Sequence, residues 1–326
     1  MRIYVTGGSG FVGRHVVREL ARAGADVRAE RVDLLDPGAV AQAVSGCEAV
    51  VHVAALYSYD APAAELERVN VAGTRVVLDA CARAGVRRLV YTSTAGTCGP
   101  VAGRPATEND SPPAWELVVP YKRTKLAAER LVLDAARDGL EPVVVNPTTP
   151  VGEGDRRPTP TGAMVAGVAS GRYRGFIAGT GLNVVDVRDV ARGHVLALER
   201  GRTGERYLLG GADLWLEELF GAIAELAGRS HPRIRVPYAV ARTAAALGLV
   251  NRNEVALARL PMFFSSAKAA RELGYRPGPV APALARAVEE ALAPSRAGRL
   301  LRYPFRAAAA RSAPSASAEP AIPSRT

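Results

Sequence analysis

The stretch Thr6-Gly7-Gly8-Ser9-Gly10-Phe11-Val12-Gly13 constrains the fold more than any other part of the chain. It follows the short apolar run 3–6 and opens the segment 13–23, whose apolar residues recur at helical spacing, so it reads as a turn from strand into helix. Glycines at 7 and 10 let the backbone turn tightly and approach a ligand, and Gly13 lets the helix pack close to the sheet. The first helical turn, which holds Phe11 and Val12, offers unpaired amides and a partial positive charge. A dinucleotide pyrophosphate suits such a turn.

Runs at 3–6, 49–53, 89–92 and 142–146 read as strands, with helices at 13–23, 66–84 and 121–137 between them. This alternation predicts an α/β fold, a doubly wound parallel sheet of Rossmann type with a smaller C-terminal α/β region that binds substrate. The stretch 27–34 must hold the second strand, and the third is an option there, in very few residues. Past Pro147 the alternation breaks, with Gly and Pro punctuating 152–181 before an apolar run at 182–187. The reading therefore assigns 1–150 to dinucleotide binding, with a later strand near 182–198 returning to that domain, and 151–293 mainly to substrate. Further helices are expected at 216–227 and 283–292. The apolar stretch 236–250 is broken by Arg242 and falls short of the roughly 20 residues a membrane span takes, so it reads as a buried or interfacial helix.

A net charge of +10 raises the question of nucleic acid, but half of it sits in 294–326, where six arginines oppose Glu319 alone. That segment is rich in Ala, Pro and Ser and reads as a disordered, solvated tail that could touch anionic lipid. No basic helix with interleaved aromatics is present, so nucleic acid is not an expected partner. Cys47, Cys81 and Cys98 show no paired spacing, and His15, His52, His194 and His231 are scattered, so neither a disulfide framework nor a metal site is expected. With no secretion signal preceding the first strand, a cytoplasmic setting is the expectation.

The chemical signal is Tyr121-Lys-Arg-Thr-Lys125. Tyr and Lys at i and i+4 share a helix face, so both can reach one ligand. A phenol of pKa near 10 becomes a usable base when a neighbouring cation stabilises its anion, the role expected of Lys125, which can also hold a nicotinamide ribose. Some 27 residues earlier, Tyr91-Thr92-Ser93-Thr94 ends a strand with hydroxyl side chains, and Thr94, with Ser93 as alternate, is placed to orient a reacting carbonyl. The acidic reader of the adenosine ribose should follow the second strand, where Glu30 lies between Arg28 and Arg31. Glu30 favours NAD; Arg28, Arg31 or Arg14 could instead take the 2'-phosphate of NADP. Tyr57, Arg172, Tyr173 and Asn183 are weaker candidates for the substrate side.

The glycine turn in its GxxGxxG spacing, Thr94, Tyr121 and Lys125 together resemble the extended short-chain dehydrogenase/reductase family, and the resemblance runs from residue 1 to about 293. It implies that Asp33 and Leu34 meet the adenine ring, that Ala54 and Ala55 in His52-Val-Ala-Ala55 lie against the cofactor, and that Asn70 braces the active-site strand. It implies further that the segment starting Asn146-Pro147 meets the nicotinamide. Asn146-Pro-Thr-Thr-Pro-Val-Gly152, Pro158-Thr-Pro-Thr-Gly162 and Met262-Phe-Phe-Ser-Ser-Ala-Lys268 resemble hopanoid-associated sugar epimerases more narrowly. The family uses NAD or NADP, moves a hydride reversibly, and commonly forms homodimers through the helices at 66–84 and 121–137. A sugar nucleotide turned over by an epimerase is the first expectation, with a dihydroflavonol-reductase-like NADPH-dependent carbonyl reductase as alternative and a non-catalytic cofactor sensor as a distant third. Ala95-Gly96 stand where the family's sugar 4,6-dehydratases carry an acidic pair, which argues against that reaction. The segment 27–33 is shorter than its counterpart in the family and leaves NAD against NADP open.

Overall fold

A computed structural model describes residues 1–293 apart from residue 157. The tail at 294–326 lies outside the described residues. In chain order the first lobe contributes β1 (Arg2–Thr6), α1 (Phe11–Arg22), β2 (Asp26–Arg28), α2 (Pro37–Val44), β3 (Ala49–His52), α3 (Ala63–Glu67), α4 (Gly73–Ala84), β4 (Arg88–Thr92), α5 (Pro120–Asp134) and β5 (Glu141–Pro147). Then come β6 (Thr149–Val151), α6 (Pro160–Ala169), β7 (Gly175–Ile177), β8 (Gly181–Asp186), α7 (Val187–Arg200) and β9 (Arg206–Leu209). The remainder is β10 (Ala212–Trp215), α8 (Leu216–Leu226), β11 (Ile234–Val236), α9 (Tyr238–Ala246), α10 (Arg252–Leu257), α11 (Ala267–Glu272) and α12 (Ala281–Leu292).

The main sheet runs β2-β1-β3-β4-β5-β9, and every neighbouring pair is parallel. The chain steps from β1 to β2 on one side and crosses back to β3 on the other. The connections therefore diverge at the carboxyl ends of β1 and β3 and leave a crevice there. Strand pleating sends alternate residues to opposite faces. Ile3, Val5, Val143 and Val145 join Val16 and Leu20 of α1 and Val190 and Ala191 of α7 in one core. Tyr4, Val50, Leu89 and Val144 join Val40 of α2, Val77 of α4 and Val132 of α5 in the other. Each fully buried Val or Leu in these layers contributes about 1.5–3 kcal/mol.

Two expectations are corrected. The stretch 27–34 holds only the three-residue β2, since the third strand comes after α2, whose start is fixed by Asp36 capping the amides of Gly38 and Ala39. The apolar run at 182–187 does not rejoin the main sheet: β8 lies in a second sheet of order β10-β8-β6. What returns is α7, packed on the main sheet, followed by β9, which pairs with β5. The second sheet forms a core of its own with α6, α8 and α12, in which Val184, Leu219, Ile223 and Leu284 are buried. No helix among the described residues is long and apolar enough to cross a membrane.

Candidate active site

A cavity of about 1270 Å³ opens where the two lobes meet, along the carboxyl ends of β1, β3 and β4. Gly7 lies at φ 67°, and a Cβ there would come within 2.8 Å of the Ala54 backbone. A side chain at Gly13 would drive into the Gly7 carbonyl. Both glycines are thus needed for the turn to sit against α1 and the 53–55 strand exit. Gly10 caps α1 in extended conformation without a side-chain hydrogen bond. The first-turn residues Phe11, Val12 and Gly13 line the cavity, so their orphan amides supply donors for a phosphate. Arg14 also lines it, with its guanidinium on the carbonyls of Ser9 and Gly10. These groups fit a dinucleotide pyrophosphate.

The adenosine end departs from the sequence reading. Glu30 pairs with Arg28 at 2.5 Å and is not among the residues lining the cavity, whereas Arg31 is. Asp33 is turned to local use, accepting the Leu35 amide at 3.0 Å, while Leu34 lines the cavity as expected. Glu30 and Arg31 both lie in the irregular stretch after β2, which ends at Arg28, and that stretch turns Arg31 to the pocket.

Below the glycine turn lies a row of buried polar side chains. Thr6 Oγ1 accepts the amides of Val53 and Ala54, at 3.1 and 3.0 Å, and sits 2.7 Å from His52 Nδ1. With both lone pairs used, Thr6 donates to the ring. His52 therefore carries its proton on Nε2 and gives it to Thr74, which donates to the Asn70 carbonyl at 2.7 Å. Burial, helped by Lys125, lowers the His52 pKa to about 3 and keeps the ring neutral. Ala54 and Ala55 line the cavity above this row. Asn70 stands in a π-helical turn, Arg68–Ala72, between α3 and α4. Its side chain holds the Leu56 amide and carbonyl and reaches Thr124 Oγ1 on α5. It is a positioning residue, tying the pocket wall to the helix that carries Tyr121.

Tyr121, Lys125, Ser93, Thr94 and Pro147 all line the cavity, so the structure brings together residues from three elements. The Tyr121 ring packs on Tyr57 at 4.6 Å and edge-on to Tyr59 at 6.1 Å. Burial, then the neighbouring Tyr57 and Tyr91, pushes the Tyr121 phenol well above its ordinary pKa. Lys125, one helical turn further along α5, lines the cavity as well. Its ammonium is engaged by the Tyr91 hydroxyl and the Thr92 carbonyl, both at 2.8 Å, and burial brings its pKa down to about 7 against the opposing pull of Glu129. The Ser93 hydroxyl is buried without a hydrogen-bond partner among the described residues. Thr94 Oγ1 accepts only a long bond, 3.3 Å, from Gly96. The Thr94 hydroxyl is available to a ligand oxygen.

The loop bearing Thr94 is clamped from behind. Asn146 donates to the Thr94 carbonyl, to Thr97 Oγ1 and to Glu129 Oε2, and Glu129 is ion-paired to Arg206 at 3.0 Å. A second buried pair, Lys122 with Glu116 at 2.9 Å, lies against Gly96. None of Glu129, Arg206 or Glu116 stands out in the sequence, because each lies far along the chain from what it supports.

On the substrate side Tyr57 and Tyr173 line the cavity, but Arg172 and Asn183 do not. Arg172 stacks over Tyr173, and Asn183 is spent inside the second lobe on Asp213, the Gly211 amide and the Phe264 carbonyl. The wall that the sequence reading missed is apolar: Met164, Phe176, Leu182, Val240, Ala244 and Leu257. Of the arginines that line the cavity, Arg14 and Arg31 stand at the dinucleotide end, and Arg156 lines it two residues past Gly154.

Comparison with known proteins agrees with this geometry. The pattern of the NAD dependent epimerase/dehydratase family matches residues 3–210. A Synechocystis sp. protein bearing the name dihydroflavonol 4-reductase is 36% identical over 319 residues, covering 87% of this chain and 93% of its own. Sterol demethylase protein B of Methylococcus capsulatus is 35% identical over 256 residues, covering 73% of this chain and 78% of its own. A solved nucleoside-diphosphate-sugar epimerase from Pseudomonas aeruginosa superposes with a TM-score of 0.77 at 28% identity, covering 89% of this chain and 97% of that one. With its glycine turn, parallel sheet and Tyr121–Lys125 helix inside the matched region, the chain belongs to the NAD dependent epimerase/dehydratase family of extended short-chain dehydrogenase/reductases and is an NAD(P)-dependent enzyme.

Proposed function

We propose that the chain is an NADPH-dependent carbonyl reductase, interconverting a ketone and a secondary alcohol on an apolar substrate, rather than an epimerase of sugar nucleotides. The observation that carries this reading is the make-up of the cavity's far half. A nucleotide sugar brings a diphosphate that calls for bidentate arginines. Here Met164, Phe176, Leu182, Val240, Ala244 and Leu257 contribute to the wall, and Arg14 and Arg31 stay at the dinucleotide end. Burying an aliphatic or fused-ring body against that wall is favourable by roughly 25 cal/mol per Å². The two curated relatives described above are named for ring compounds, a dihydroflavonol and a sterol, which supports the same reading.

The bound nicotinamide supplies the hydride. Gly7, Gly10 and the first turn of α1 would hold the pyrophosphate, Ala54 and Ala55 would wall the cofactor, and Arg31 would take the 2'-phosphate. Lys125 has three N–H donors and spends two on Tyr91 and Thr92, which leaves one for a ribose hydroxyl. Thr94 would donate to the substrate carbonyl oxygen. Tyr121, kept protonated by burial against Tyr57, passes its phenolic proton to that oxygen as the alcohol forms.

Incubation of the enzyme with NADPH and a panel of alkyl and fused-ring ketones, beside UDP-, GDP- and dTDP-sugars, tests this. Net NADPH consumption on an apolar ketone is expected. Inversion of a sugar stereocentre with no net consumption would refute the reading in favour of the epimerase.

A further inference from the structure

We infer that α9 and the turn after it form a docking face for an anionic lipid bilayer, set over the apolar end of the cavity. Four large apolar side chains stand out in water here: Ile234 at 59% exposure, Val240 at 57%, Leu247 at 70% and Leu249 at 61%. Val240 and Leu247 are seven residues apart and so share one helix face. A left-handed Gly248, φ 73°, ends α9, with its amide on the Ala245 carbonyl and the Leu249 amide on the Ala244 carbonyl. This C-cap fixes Leu247 and Leu249 outward at the protein's edge. Isolated exposed leucines need no explanation, but Val240, Leu247 and Leu249 on one short helix and its cap do.

Charge selects the occupant. From 226 to 253 the sequence holds five arginines and no Asp or Glu. Arg233, Arg242 and Arg252 are exposed around the apolar group, while Arg235 is engaged by Glu217. Arginines bordering an apolar helix face match the interface of an anionic membrane, with the guanidinium groups at the headgroups and the leucines below them. The same helix is also part of the cavity wall: Val240, Ala241 and Ala244 line the cavity. A lipid-like substrate leaving the bilayer at this face would meet apolar surface all the way to the cavity. That route rests on the apolar-substrate reading; the docking itself rests only on the residues of the face.

The test is flotation of the full chain with vesicles of phosphatidylcholine alone and of phosphatidylcholine mixed with phosphatidylglycerol, without cofactor or substrate. Binding to the anionic vesicles is expected, weakening as salt is raised. Leu247→Glu with Leu249→Glu lowers the affinity by at least about tenfold, and Arg242→Ala lowers it about fivefold. Both variants keep the wild-type Tm and NADPH affinity. Unchanged flotation of the leucine double variant would overturn the proposal. So would loss of binding confined to a full chain with Arg296, Arg299, Arg302 and Arg306 changed to Ala, which would assign the membrane contact to the tail. Light scattering that finds a wild-type dimer and a monomeric double variant would give the face to a second copy, again overturning it. Vesicle binding by an enzyme that reduces no apolar ketone would support the docking while removing the substrate reading.

Discussion

Arg31→Ala separates the two nicotinamide cofactors. Arg31 lines the cavity and has no side-chain hydrogen bond or ion pair among the described residues, whereas Glu30, the residue that would read an unphosphorylated ribose, is held 2.5 Å from Arg28 and off the cavity. A hydrogen bond between a charged donor and phosphate is worth about 1.5–3 kcal/mol. Arg31 is exposed, which places the loss at the lower end, about 1.5 kcal/mol, or about tenfold in Kd. The variant should therefore bind NADPH about tenfold more weakly and NADH with unchanged affinity, as read by quenching of protein fluorescence during titration. Glu30→Ala should leave the affinity for both cofactors within about twofold, since its partner is Arg28 and a surface pair contributes about 0–1 kcal/mol. Equal weakening of NADPH and NADH by Arg31→Ala, or a selective loss of NADH on Glu30→Ala, would refute this account of cofactor choice.

Tyr121→Phe should lower kcat by about 100- to 10,000-fold while leaving NADPH affinity and Tm close to wild type, because the ring contact with Tyr57 survives and only the proton donor goes; stopped-flow reduction measures it. Lys125 has a folded-state pKa of about 7 against an ordinary 10.5. Between those values the unfolded chain binds the extra proton, so this group makes stability rise as pH goes from about 7 towards 10. Urea unfolding across that range should show the rise in wild type and not in Lys125→Met. Asn70→Ala removes bonds of 2.7 and 3.1 Å to the Leu56 backbone and one of 3.3 Å to Thr124, leaving buried groups unpaired. A loss of about 2–4 kcal/mol in urea unfolding and a raised KM should follow, and a change below about 0.5 kcal/mol would remove its positioning role.

What the sequence could reveal was whatever is written locally. Gly7, Gly10 and Gly13 act within one turn, and Tyr121 and Lys125 lie one helical turn apart, so their spacing alone carries their geometry. Thr94 and Ser93 were legible because a hydroxyl run at a strand end has one crevice to face. Residues whose roles depend on partners across the chain were not. Asn183 has the composition of a ligand contact and is spent on Asp213 and Phe264. Asp33 follows the strand as an adenine contact would, yet Leu35 lies nearer and claims it. Glu30 and Arg31 could not be ranked because both lie past the end of β2, in a stretch with no periodicity to say which way each faces. The run at 182–187 had the right character for a strand of either sheet, and only its neighbours, β6 and β10, decide which one it joins. The apolar wall from α6, α9 and α10 left no periodic mark pointing at the cavity, because each helix also buries side chains elsewhere.

The row Thr6–His52–Thr74–Asn70 has a polarity imposed from one end. The amides of Val53 and Ala54 occupy Thr6, and every hydroxyl and ring proton after it must then point away from the cofactor. Adding a proton to His52 would set two donors face to face, so this part of the pocket is silent to acidification until about pH 3. A cofactor resting on Ala54 and Ala55 thus lies on a surface whose charge is constant across the physiological range. Lys125, whose pKa lies at about 7 and whose charge helps to hold His52 neutral, is a contact of the same cavity that does titrate in that range.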